Sequence, residues 1–145
     1  MHYILFMGRI IGIDYGRKRM GLAITDPLGL FASPLTTINP NDFDSFIDKL
    51  MKSETIESFV VGYPVKMNNT PSEAVNDINP FIKKLKKKYP DIPVFLADER
   101  FTSQMALRTM IDGGVKKTKR KNKATIDMIS ASIILQSFLD KNCKK

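Results

Sequence analysis

Three acidic residues stand where a charge is out of place: Asp14 closes the apolar run Arg9 to Asp14, Glu99 closes Val94 to Glu99, and Asp127 interrupts the hydrophobic stretch Thr125 to Leu139. A short apolar run reads as a strand buried on both faces. An acid at its carboxyl end then points into the crevice where open α/β sheets bind ligands. Three such carboxylates in a basic chain suit divalent cations held over a nucleic acid backbone. Phosphodiester hydrolysis needs an activated water and stabilisation of the leaving oxygen, and two ions about 4 Å apart supply both. Asp14, Glu99 and Asp127 are therefore the expected metal ligands and catalytic residues, with Mg²⁺ or Mn²⁺ as the expected cofactor.

Each acid also has a purely structural reading. Asp14 would cap a hairpin turn, Glu99 would pair with Arg100, and Asp127 would cap a helix N-terminus. Asp98 precedes Glu99, but successive strand residues face opposite sides, so only one of the two faces the side of Asp14. Glu99 is the better choice. If its strand lies two positions from the first, the gap is about 10 Å, and the longer side chain and the small Gly62 on the intervening strand help to bridge it. Asp127 is the only charge between Ala124 and Leu139, in an otherwise buried helix, so its burial demands a compensating partner. Ala124, Ser130 and Ala131 share its helical face and would let that face approach the sheet closely.

The positive charge has its own distribution. The 145 residues carry a formal net charge of +8, which favours a polyanionic partner. Arg17, Lys18 and Arg19 sit in the first hairpin beside Asp14, placed to hold a phosphate. Lys116, Lys117, Lys119, Arg120, Lys121 and Lys123 fill a stretch with almost nothing apolar to pack, running directly into the segment of Asp127. That stretch reads as an electrostatic clamp for phosphates, joined by Arg100, with a solvated linker as the alternative. Lys83, Lys84, Lys86, Lys87 and Lys88 read instead as the solvent face of a helix whose apolar side is Ile78, Phe81, Ile82 and Leu85.

With 43% hydrophobic and 26% charged residues, the chain is long enough for one globular core. No apolar run approaches the roughly 20 residues of a membrane span. The Tyr3 to Met7 patch is too short for a signal peptide, and Met7 offers an alternative translational start. The lone Cys143 cannot form an internal disulfide, which makes the cytoplasm the expected compartment. The sole histidine, His2, stands in the leading segment, away from any candidate site. Monomer and homodimer are both compatible with these features.

The elements that must position the acids follow from period and punctuation. Residues 9 to 14, Met20 to Thr25 and Phe31 to Ile38 read as strands joined by tight turns, hence antiparallel hairpins. Asn41 to Met51 puts Phe43, Phe46, Ile47 and Leu50 on one helical face behind an Asn or Asp cap. Phe59 to Gly62 is a buried strand, Pro71 opens a helix, and Ile92 to Ala97 is the fifth strand. Thr102 or Ser103 caps a helix ending at the Gly113-Gly114 pair, and a last helix runs from about Lys123 to Asp140. This order predicts an α/β fold: a five-stranded mixed sheet with helices on both faces and the first strand central, the ribonuclease H-like arrangement. The expected division is an N-terminal extension over 1–8, the nuclease domain over 9–140 and a tail over 141–145.

Four segments make the resemblance specific: Gly12-Ile-Asp14-Tyr-Gly16-Arg-Lys-Arg-Met-Gly21-Leu-Ala23, Val61-Gly62-Tyr-Pro64, Asp98-Glu99-Arg100-Phe-Thr102-Ser103, and Ile126-Asp127 through Gln136. In order and spacing they resemble the YqgF/RuvX family, over roughly residues 9 to 140. The resemblance implies a nuclease, described both as Holliday junction resolvase-like and as maturing the precursor of 16S ribosomal RNA. One departure is visible, Asn68-Asn69 where the family would place Asp-Gly. The expected activity is a metal-dependent endonuclease on structured nucleic acid, with RNA favoured and branched DNA the alternative. Two other readings compete: a non-catalytic RNA- or ribosome-binding module, and a sugar-kinase-like ATPase suggested by Gly12 to Gly16. The ATPase would need a second domain to enclose a nucleotide.

Overall fold

The computed structural model describes residues 8–63, 75–98 and 122–143. Five strands form one sheet: β1 (Arg9–Asp14), β2 (Met20–Thr25), β3 (Ala32–Ile38), β4 (Ile56–Tyr63) and β5 (Val94–Asp98), in the order β3-β2-β1-β4-β5. β1 lies at the centre, antiparallel to β2 and parallel to β4, and β4 is parallel to β5. The described helices are α1 (Phe43–Leu50), α2 (Val75–Lys88) and α3 (Lys123–Cys143). This is the expected mixed sheet, with β5 two positions from β1.

Alternation along the strands separates two faces. On the first, Ile11, Ile13, Leu22, Phe59 and Val61 pack with Phe43 and Ile47 of α1 and Ile78, Ile82 and Leu85 of α2. On the second, Ala23 and Val60 pack beneath Ala131, Ile134 and Leu135 of α3. Among the described residues thirteen buried side chains form the first cluster and five the second. At roughly 1.5–3 kcal/mol for each large apolar side chain, the first face supplies most of the hydrophobic stabilisation. The second face relies additionally on polar ties. Thr37 Oγ1 donates to the Ala124 carbonyl at 2.6 Å, and the Ala32 amide donates to Gln136 Oε1 at 2.9 Å.

Some boundaries differ from the sequence reading for local reasons. The segment after β3 opens with a 3-10 turn, Pro40–Asp42, because Asn39 accepts a hydrogen bond from the Asn41 amide and Pro40 needs no amide partner. Ile92 is held in a turn by its amide bond to the Tyr89 carbonyl, so β5 begins at Val94. In the β2–β3 turn Asp26 accepts from the amides of Leu28, Leu30 and Phe31, and Gly29 has φ +70°. Those bonds keep Phe31 out of β3, which starts at Ala32. The α2 lysines are exposed over a buried Ile78, Ile82 and Leu85, as expected. The proposed helix start at Pro71, the Thr102–Gly113 helix and the basic stretch from Lys116 to Lys121 lie outside the described residues.

Candidate active site

Asp14 is the last residue of β1 and pairs across the hairpin with Gly21 of β2. It shares its face of the sheet with Gly12, two positions earlier. A Cβ on Gly12 would come within 2.7 Å of Leu135 Cβ and 3.0 Å of the Ala131 carbonyl, so this is the α3 face. Gly21 does the decisive positioning. A Cβ there would run into the Asp127 carbonyl and reach 2.9 Å from the Met128 amide nitrogen. The backbone of Asp127 therefore rests directly on the residue opposite Asp14, and two carboxylates far apart in sequence line one crevice.

That crevice, about 310 Å³, is lined by Asp14, Tyr15, Gly16, Arg17, Lys18, Arg19 and Asp127. The partner that Asp127 requires is Arg19, whose Nε donates to Oδ2 at 2.6 Å. Arg17 turns the other way and donates to Asp77 of α2 at 2.8 Å. That hydrogen bond and the Asp77 charge hold its guanidinium above the ordinary arginine pKa. The hairpin is thus tied to α3 by Arg19 and to α2 by Arg17. Lys18 is exposed where it lines the crevice, and Lys123 is exposed in the first turn of α3.

The helix-cap alternative for Asp127 does not hold. Asn122 is the cap, its Oδ1 accepting from the amides of Ala124 at 2.9 Å and Thr125 at 3.3 Å. Asp127 stands a full turn inside α3. Its side chain is 21% exposed and that of Arg19 40%, a half-open pair rather than a buried one. On β5, Ala97 packs into the α3 cluster and Asp98 is its exposed successor, paired in register with Tyr63. Glu99, Arg100, Lys116, Lys117, Lys119, Arg120 and Lys121 lie outside the described residues. A second hollow of about 270 Å³, lined by Tyr15, Phe43, Phe81, Asp44 and Asp77 among others, lies on the opposite face. Its two acids are engaged by Lys88 and Arg17, which leaves it poorly suited to a cation.

The sequence reading placed Arg19 on a phosphate without foreseeing its pairing with Asp127, and it gave no positioning role to Gly12, Gly21 or Asn122. Glycine inside a strand is a signal for close backbone approach, and an Asn before an apolar helical run is a signal for a cap.

The family profile described as "RuvX: Holliday junction resolvase" matches residues 8–141. The chain belongs to the RuvX family. Similar relatives in Bacteroides fragilis and Phocaeicola vulgatus, each named "Putative pre-16S rRNA nuclease", are 49% and 52% identical over 134 residues. The matches cover 92% of this chain and 97% and 96% of theirs. Among solved structures, Thermus thermophilus RuvC in complex with a Holliday junction substrate superposes with a TM-score of 0.58 at 13% identity, covering 94% of this chain and 96% of that one. That likeness establishes the ribonuclease H-like fold, and RuvX membership makes this protein a nuclease. The non-catalytic binding module and the ATPase both give way to it. Among the described residues no helix is long and apolar enough to cross a membrane.

Proposed function

We propose that this RuvX protein is a metal-dependent endonuclease that hydrolyses phosphodiester bonds in structured nucleic acid, with the precursor of 16S ribosomal RNA as its substrate. One observation carries the reading. Asp14 stands opposite Gly21 in the β1–β2 hairpin, and the Asp127 backbone is seated on that same glycine. The names of the relatives favour RNA as substrate.

The donor set fits Mg²⁺ or Mn²⁺, because both carboxylates offer hard oxygen ligands in a half-open, water-accessible crevice. Asp14 and Asp127 would hold the metal with Glu99 as the third acid. The phase of β5, with Ala97 on the α3 side, is the one a Glu99 ligand requires. When bound, the metal supplies an activated water and offsets charge on the leaving oxygen. The chain's own cations do the rest. Lys18 in the crevice, Lys123 at the start of α3, the hairpin arginines Arg17 and Arg19, and Arg100, Lys116, Lys117, Lys119, Arg120 and Lys121 would hold phosphates and orient the strand. The nuclease domain spans 9–140, acting in the cytoplasm as a monomer or homodimer.

The family description and the RuvC complex favour a second substrate, the four-way DNA junction. The test is cleavage of precursor 16S RNA and of a synthetic junction by the same purified protein with Mg²⁺ or Mn²⁺, alongside Asp14→Asn. RNA cut at defined sites by the wild type only is the expected result. Junction cleavage alone would move the substrate to DNA, and activity in chelator or in Asp14→Asn would refute the metal reading.

A further inference from the structure

We propose that Arg19 is a stand-in cation. It holds the Asp127 carboxylate while no divalent cation is bound, then yields that carboxylate to a cation at Asp14 and Asp127 and donates its guanidinium to a substrate phosphate. The inference rests on the metal reading above and deepens it.

Four observations carry it. First, Arg19 and Asp127 line the same crevice as Asp14, so the ion pair sits on the ligand set itself. Second, the pair is joined through Nε at 2.6 Å. A guanidinium has five N–H donors, and the Nε bond uses one, so the group can engage a second anion without leaving the crevice. Third, the side chains are 40% and 21% exposed. A half-solvated ion pair holds weakly, whereas a dication at the same carboxylate carries twice the charge and repels a guanidinium left beside it. Fourth, the pair is not needed to dock α3. Thr37 grips the Ala124 carbonyl, Gln136 grips the Ala32 amide, and Gly21 already receives the Asp127 backbone.

The backbone determines where Arg19 goes. It immediately precedes Met20, which pairs with Ile38 in the sheet. Its stem therefore stays at the mouth of the crevice when the head group moves. A phosphate bridging toward the carboxylates would meet that head group in the fork geometry arginine suits. Metal-free, the same contact neutralises one of two neighbouring acids. With metal and substrate, the guanidinium changes partner, from the Asp127 carboxylate to a phosphate of the nucleic acid.

The test uses the full chain. Mn²⁺ is titrated by calorimetry into metal-free wild type, Arg19→Gln and Asp14→Asn, and binding of a fluorescent RNA stem-loop is followed by anisotropy in Ca²⁺ over a range of salt. Arg19→Gln should bind Mn²⁺ several-fold tighter than wild type. It should bind RNA more weakly, with a salt slope shallower by somewhat under one unit, the loss of about one phosphate contact. Unchanged or weaker Mn²⁺ binding in Arg19→Gln would overturn the proposal, the weaker case making Arg19 a support that orients Asp127. Equal Mn²⁺ binding by wild type and Asp14→Asn would instead refute the metal site, and this proposal with it. A measurement on the wild type guards against a misfolded variant: the Arg19 Nε–H resonance of ¹⁵N-labelled protein should shift and lose exchange protection as Mg²⁺ is added. A resonance indifferent to saturating Mg²⁺ would also overturn the proposal.

Discussion

Gly21→Ala adds one methyl group at the point where the site is assembled. Its Cβ would enter the space of the Asp127 carbonyl and lie 2.9 Å from the Met128 amide nitrogen. These are backbone atoms of a helix and cannot rotate away, so α3 must retreat by about 1 Å or the β1–β2 hairpin must bend. Overpacking of this kind costs about 1–3 kcal/mol. For a chain of 145 residues that lowers Tm by roughly 3–10 °C. Activity should fall further than stability, because displacing a catalytic group by about 1 Å costs on the order of 100-fold. Gly12→Ala is the matched control. It meets Leu135 Cβ at 2.7 Å and the Ala131 carbonyl at 3.0 Å, one helical turn beyond Asp127. It should lower Tm comparably and cleavage less. Calorimetry and single-turnover cleavage at saturating Mn²⁺ measure both quantities. A Gly21→Ala protein with wild-type Tm and wild-type rate would refute the claim that the Asp127 backbone sits on β2.

Asp14→Asn should abolish cleavage while leaving the circular dichroism spectrum and Tm close to wild type. Asp127→Asn should abolish cleavage and also lose the Arg19 ion pair. As the pair is half-exposed, the expected cost is at most about 1 kcal/mol, and a rise in Tm would show that carboxylate repulsion outweighs the pair. Asp26 predicts a pH effect. Backbone amides of Phe31, Leu30 and Leu28 hold its carboxyl below the ordinary range, so its contribution is fully present above the unfolded pKa of about 3.9 and fades as pH falls toward the lower folded value. Asp26→Asn should therefore flatten the acid limb of a Tm against pH curve below about pH 4, and an unchanged limb would refute it. Replacing Lys116, Lys117, Lys119 and Arg120 by Ser should weaken nucleic acid binding and reduce its salt slope by somewhat under one unit per lost contact; an unchanged slope would make that stretch a linker.

The sheet was legible because its strands are short, apolar and bounded by turn residues, and the order of elements put the first strand at the centre, where Ile11 and Ile13 are fully buried. Asp14 and Asp127 stood out as misplaced charges, and both line one crevice; Glu99 lies outside the described residues. What could not be read is which groups touch across long sequence separations. Arg19 reads as one cation among three in a hairpin, and only the docking of α3 singles it out for Asp127, 108 residues away. Asn122 and Asp127 are both cap-type residues near the start of the same helix, and the structure decides for Asn122. Element edges shifted wherever a side chain captured a backbone amide, as Asp26 does after β2. Such competition is set by three-dimensional proximity and leaves little trace in periodicity.

The separation of Asp14 and Asp127 has a further consequence during synthesis. β1 and β2 emerge early, but the second carboxylate arrives on α3 and reaches the crevice only when that helix lies across the finished sheet. Contacts of such high sequence separation form late. On the proposed reading, a growing polypeptide that still lacks α3 carries Asp14 without Asp127, so the site is incomplete until that helix has been made.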